Sequence, residues 1–247
     1  MSTIIRRPRV QIGTAGWSYP DWKENFYPDG LKTKEWLNYY SANFATVEVN
    51  TTFYHLPLQS TVNNWLNQVP ESFLFSIKAS RYITHQKKLK ECKESLALFY
   101  KVMQELHPKM GPILFQLPPS FQMNKERLED FLLHLKEDFL HVFEFRHPSW
   151  FVDEIYEILA KKNIGLCMTD LNGKQSPEEI TSFFTYIRLH GPHQAYQESY
   201  GAAKLKSWKK KIEKWKTKTS VYCYFDNDAK GAAIEDAKVM RDFFRDV

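Results

Sequence analysis

The feature that most constrains this chain is a rhythm. A short run rich in β-branched and aromatic residues is followed by a longer run with helical spacing, over and over along the sequence. Eight strand candidates stand out: "VQIGTAG" (10–16), "ATVEVN" (45–50), "FLFSIKA" (73–79), "PILFQLP" (112–118), "LHVFEFR" (140–146), "IGLCMTD" (164–170), "FTYIRLHG" (184–191) and "SVYCYFDN" (220–227). Between them, Leu128, Phe131, Leu132 and Leu135 fall at i, i+3, i+4, i+7, behind Asn124, a residue type that caps helix N-termini. Leu96, Phe99, Tyr100, Met103 and Leu106 keep helical spacing until Pro108. Ile234, Ala237, Met240 and Phe244 do the same near the C-terminus. Only the sixth strand lacks a clear helix, since "SPEEI" (176–180) offers one capped turn at most. Eight βα units in 247 residues predict a (β/α)8 barrel of eight parallel strands, one domain over residues 1–247, with a degenerate helix after strand six. The rival is an open doubly wound sheet. No GxGxxG follows the first strand, and eight parallel strands are many for so short a chain.

A barrel also accounts for the charges in the strands. Successive side chains of a strand point to opposite faces. Glu48 and Asn50 therefore share one face while Val47 and Val49 share the other. Ser76 and Lys78, Glu144 and Arg146, and Arg188 and His190 repeat the pattern, and Gln116 holds the equivalent late position in its strand. The apolar faces are expected to pack outward on the helices, and the polar ones to meet in the upper mouth. A lone buried carboxylate costs several kcal/mol. Glu48, Glu144, Asp170 and Asp226 are instead expected to face Lys78, Arg146, Arg188 and His190. Such a layer could be a structural plug. Buried ion pairs stabilise poorly compared with packed aliphatics, however, and this fold carries its active sites at that face. The loops at the same end carry Trp17, Tyr19, Trp22, Phe26 and Tyr27, then Phe53, Tyr54 and His55, then His147 and Trp150. These form either a stacking platform for a sugar or base, or a small core pinning the loops.

Composition narrows the setting. Three widely spaced cysteines with no CxxC pair read as reduced thiols of a cytoplasmic protein. The opening "MSTIIRRPRV" has no apolar core for a signal peptide, and no run reaches the length of a membrane span. Of the net charge of +5, residues 204–218 contribute eight lysines against Glu213. Leu205, Trp208, Ile212 and Trp215 form the buried stripe there, so the lysines read as a solvated outer face rather than a phosphate-backbone patch. Nothing in the sequence fixes an oligomeric state.

Taken together, "GTAGWSYPDW", "VEVNTTFYHLP", "FLFSIKASRYITH", "LFQLPPSF", "VFEFRHPSWF", "YIRLHG" and "VYCYFDN" resemble the motifs of the YecE-like bacterial family, domain of unknown function 72, in order from about residue 10 to 245. That resemblance implies a (β/α)8 barrel and brings no established reaction. It implies site positions at Tyr19, Trp22, Glu48, Asn50, Tyr54, Lys78, His85, Gln116, Glu144, Arg146, His147, Arg188, His190 and Asn227, and at Tyr200 ahead of Leu205 and Trp208. The family has also been compared, by fold, with metal-dependent barrels that cut DNA at abasic sites.

Three functions fit these residues. The first is an enzyme using carboxylate acid–base chemistry on a small polar, sugar-like or phosphorylated substrate. Glu144 and Glu48 would serve as acid and base in contrasting environments, with His190 as a further catalytic group. Lys78, Arg146 and Arg188 would hold an anionic group, the other named positions would complete the substrate site, and no cofactor is needed. The second is a metal-dependent phosphodiesterase or DNA-repair endonuclease acting on nucleic acid. Its divalent metal would be drawn from His55, His147, His190, Glu48, Glu144, Asp170 and Asp226, none of which forms a ligand pair such as HxH or DxD. The third is a barrel that binds a small ligand without chemistry.

Overall fold

The computed structural model describes residues 10–23 and 25–245. The N-terminal segment on which the signal-peptide argument turned therefore lies almost wholly outside the described residues. Eight parallel strands wrap into a nearly closed barrel: β1 (Val10–Thr14), β2 (Thr46–Val49), β3 (Leu74–Lys78), β4 (Met110–Gln116), β5 (His141–Glu144), β6 (Gly165–Leu171), β8 (Phe184–Leu189) and β9 (Ser220–Phe225), in the order β1-β9-β8-β6-β5-β4-β3-β2. A two-residue strand, β7 (Lys174–Gln175), turns back antiparallel on β6. The outer layer holds α1 (Trp36–Asn43), α3 (Gln59–Gln68), α4 (Lys93–Met103), α5 (Lys125–Leu132), α6 (Asp153–Lys161), α7 (Gly201–Trp215) and α8 (Ala232–Asp242), and the single turn α2 (Thr51–Tyr54) follows β2.

The strand faces divide as the alternation requires. Val47, Val49, Phe75, Ile77, Phe143, Phe145, Ile187 and Leu189 belong to the core between sheet and helices. A second, inner cluster of Leu114, Val142, Cys167, Phe184, Tyr186, Tyr222 and Tyr224 fills the barrel itself. Two of its tyrosines carry the interior from apolar to polar. Tyr224 reaches Thr46 Oγ1 at 2.7 Å and Ser76 Oγ at 2.8 Å, and Tyr186 donates to Glu48 Oε2 at 2.7 Å. Above these hydroxyls lies the charged layer.

The seam between β1 and β2 is closed by a side chain. Tyr40, buried on α1, accepts from the Thr14 amide at 3.0 Å and donates to the Thr46 carbonyl at 3.1 Å. Gly13 makes the approach possible, because a Cβ there would lie 2.4 Å from the Thr46 oxygen. After β6 there is no helix at all. Residues 176–182 run back along the strand without regular structure, with Ser176 Oγ accepting from the Thr169 amide (2.9 Å) and Thr181 Oγ1 from the Leu166 amide (2.9 Å). The α5 cap forms as its sequence predicts, with Asn124 Oδ1 accepting from Arg127 N at 2.9 Å. Leu205, Trp208, Ile212 and Trp215 are the buried stripe of α7, and several of its lysines lie over aromatic rings or pair with acids, as Lys211 does with Glu178 at 2.6 Å.

Candidate functional site

Arg188 organises the mouth. It is fully buried, and its position in β8 puts it on the inner face with Tyr186 and His190. Nη2 donates to Glu48 Oε1 (2.7 Å) and Asp226 Oδ2 (2.8 Å), Nη1 donates to Glu144 Oε2 (2.8 Å), and Nε reaches both Glu48 oxygens. One planar guanidinium with five donors thus binds carboxylates from three other places in the chain, a geometry that an ammonium could not supply. Arg146 binds the other side of Glu144 through Nε, and its Nη2 lies 2.9 Å from His190 Nε2. Because Nε2 faces guanidinium donors from Arg146 and Arg188, it is assigned as the accepting nitrogen. His190 Nδ1 lies 3.0 Å from Asp226 Oδ2.

The field of these groups sets their protonation. Burial alone would raise the Glu144 carboxyl, but Arg146 and Arg188 outweigh it and hold the group well below the usual carboxylate range. Asp226 is likewise lowered, with burial opposed chiefly by Arg188 and then by His190. Burial, reinforced by Arg188, brings the Lys78 ammonium from 10.5 down to about 8. His85, half-buried on the turn after β3, falls to about 4 through burial and then Lys78.

Several residues named from sequence meet here: Glu48, Lys78, Glu144, Arg146, Arg188 and His190, joined by Asp226. Gln116 stands beside Glu144 in the β4–β5 pairing. Asn50, Tyr19 and Tyr54 line a cleft of about 230 Å³ with Ala15, Gly16, Trp17, Ser18 and Thr51, at the β1–β2 side of the mouth. Other residues fall elsewhere. Asp170 points away from the mouth toward α7, its carboxyl raised by burial and its Oδ2 taking a 3.4 Å hydrogen bond from Gln175. Trp22 is buried, stacks among Tyr27 and Tyr40, and donates to Asp228 Oδ1 at 2.6 Å, so it pins the first loop and offers no stacking face. His147 caps the turn Pro148–Trp150, accepting from the Ser149 amide at 3.2 Å. Tyr200 and Asn227 tie the loop after β8 to α8: Asp236 accepts from the Tyr200 amide and from Asn227 Nδ2, both at 2.8 Å.

The acid–base pairing expected of Glu48 and Glu144 changes in the same light. Arg188 lies between the two carboxylates, so they do not flank an open space that a sugar ring could enter, and Glu144 is held as an anion rather than as an acid. A metal site needs converging free lone pairs. Those of Glu48, Glu144 and Asp226 are directed at Arg188, and among the described residues no group of three His, Cys, Asp or Glu side chains could hold a metal ion. Sequence reasoning passed over Tyr186 and Asp228. Tyr186 was detectable, since it lies two residues before Arg188 on the same face. The Asp228 carboxyl, raised to about 7 by burial against the opposing Trp22 hydrogen bond, was not, because its partner lies 206 residues away.

Among the described residues no helix is long and apolar enough to cross a membrane. Comparison with known proteins places this architecture. Along 265 aligned residues the chain is 26% identical to UPF0759 protein YunF of Bacillus subtilis, covering 94% of this chain and 93% of YunF. It is 34% identical to UPF0759 protein YecE of Escherichia coli over 143 residues, which span 58% of this chain and half of YecE. The crystal structure of a DUF72 family protein from Thermotoga maritima superposes with a TM-score of 0.85 at 28% identity, over 95% of this chain and 98% of that one. One from Enterococcus faecalis shares the fold with a TM-score of 0.82 at 20% identity, over 95% of each chain. Residues 11–246 match the family described as "Protein of unknown function DUF72", and the chain belongs to that family.

Proposed function

We propose that this barrel is an enzyme acting on a small, acceptor-rich substrate, such as a carboxylate, a phosphate ester or a polar sugar derivative, bound at the mouth. One observation carries the reading. The three carboxylates of the mouth are engaged by Arg188, Arg146 and His190, while two cations keep unused donors: among the described residues no acceptor meets Arg146 Nη1 or Lys78 Nζ. Both side chains are only partly buried, so these donors are open to a ligand that enters the mouth. An anionic or hydroxyl-rich ligand would satisfy them, and the neighbouring cleft would take its apolar part. Glu144, held ionised and oriented by two guanidiniums, is suited to stabilise positive charge that develops on a bound substrate.

Thermal unfolding with inorganic phosphate, pyrophosphate, sugar phosphates and hydroxy acids tests this reading. A ligand at a hundred times its Kd stabilises by about 2.7 kcal/mol, a shift of several degrees. At least one of these anions is expected to raise Tm, and Arg146→Gln to abolish that rise. Glu144→Gln is expected to stay folded and to change ligand response or turnover. A Glu144→Gln variant that loses fold stability, in a protein whose Tm no anion moves, would identify the layer as a structural plug.

A further inference from the structure

Lys78 is an anomaly among the described charges of the mouth, because the others are hydrogen-bonded or ion-paired and it is not. Its Nζ lies 4.4 Å from the centroid of the Phe53 ring, and among the described residues no carboxylate or carbonyl meets it. The Glu48, Glu144 and Asp226 charges act on it from a distance, but Arg188 and Arg146 hold their oxygens. The backbone beneath it is fixed. The Lys78 carbonyl accepts from Thr52 Oγ1 at 2.7 Å, and the Ala79 amide bonds to the Leu114 carbonyl at 2.9 Å. An ammonium at this place sheds much of its water and gains only the face of the Phe53 ring, whereas a neutral amine has less hydration to lose. The lowering to about 8 follows from that difference. A neutral lysine amine, held rigidly at a strand end of a barrel mouth, is a nucleophile toward carbonyl carbon.

We infer that Lys78 is the nucleophile of this mouth, its Nζ condensing with a small aldehyde or ketone to form an imine. The Nζ lone pair forms the bond to the carbonyl carbon as the C=O π pair moves onto oxygen. The two amine protons pass to that oxygen, which leaves as water, and the nitrogen lone pair completes the C=N bond, so no oxidant or reductant enters. Protonation of the imine creates a cation that the surrounding carboxylates stabilise, which favours loss of a proton or a carbon fragment from the adjacent carbon. This inference rests on the mouth being the substrate site and adds the class of substrate.

The experiment is reductive methylation of the full chain at about pH 7 with limiting isotope-labelled formaldehyde and cyanoborohydride, read by peptide mass spectrometry. Formaldehyde is the smallest member of the class, so it does not depend on knowing the substrate. Lys78 then holds on the order of a hundredfold more neutral amine than a lysine at 10.5. It is expected to label first among the lysines, ahead of those on α7. Lys78→Met, whose chain can still pack on Phe53, is expected to lose only this early label. Label spread over surface lysines with Lys78 unmodified overturns the inference, and the wild-type result decides it even if the variant fails to fold. Anion protection without early labelling removes the imine and leaves the proposed function standing. Early labelling without anion protection does the reverse.

Discussion

At the residue scale the mouth depends on a single side chain. Arg188 bridges Glu48, Glu144 and Asp226 while wholly buried, so each carboxylate there depends on the same cation. Removing one partner of a buried ion pair leaves an uncompensated charge, which costs about 3–5 kcal/mol. Arg188→Met is therefore expected to lower the unfolding free energy by that amount in denaturant titration. Arg188→Lys should recover little of it, because an ammonium cannot span three carboxylates in one plane. An Arg188→Lys protein as stable as wild type would show that the fork geometry is dispensable.

At the element scale two departures from a regular barrel are held by side chains. The β1–β2 seam relies on the Tyr40 hydroxyl, which bonds the Thr14 amide and the Thr46 carbonyl. Tyr40→Phe keeps the ring stacked on Phe44 but leaves both backbone groups unmet in a dry place. The expected cost is about 1–3 kcal/mol, with faster hydrogen exchange at the Thr14 amide. Unchanged exchange at Thr14 would mean that the strands close the seam without help. One capped turn was expected over residues 176–180, and none forms there. The strap that runs there instead was not legible, because Thr181 meets its partners 15 and 17 residues back. The α5 cap and the His147 cap were within reach of sequence, as each bonds an amide two or three residues away.

At the scale of the whole molecule, acid should unfold the protein from several sites at once. His141, buried with Nε2 2.8 Å from the Tyr100 hydroxyl, falls from 6.5 to about 4 through burial. Between those values the unfolded chain binds a proton that the native one refuses, so stability drops as pH falls through that window. Glu144 and Asp226, both lowered in the fold, extend the loss to lower pH. His141→Gln can keep the Tyr100 hydrogen bond without titrating. Its denaturation midpoint should therefore depend less steeply on pH between 4 and 6.5 than the wild type's, and an identical slope would clear His141 of the role. The sequence by itself determined the barrel, its layering and most of the polar mouth, because periods of 2 and 3.6 are local properties of the chain. It could not assign Asp170, since Leu166, Cys167 and Met168 are all apolar and give the alternation no phase. The pairing of Thr169, not Asp170, with Arg188 fixes that phase. Nor could it say that Arg188 would take both glutamates, that Asp236 would draw Tyr200 and Asn227 out of the site, or that Lys78 would be left with only the Phe53 ring. Those outcomes depend on which groups meet across the barrel, and only the tertiary structure brings them within bonding distance.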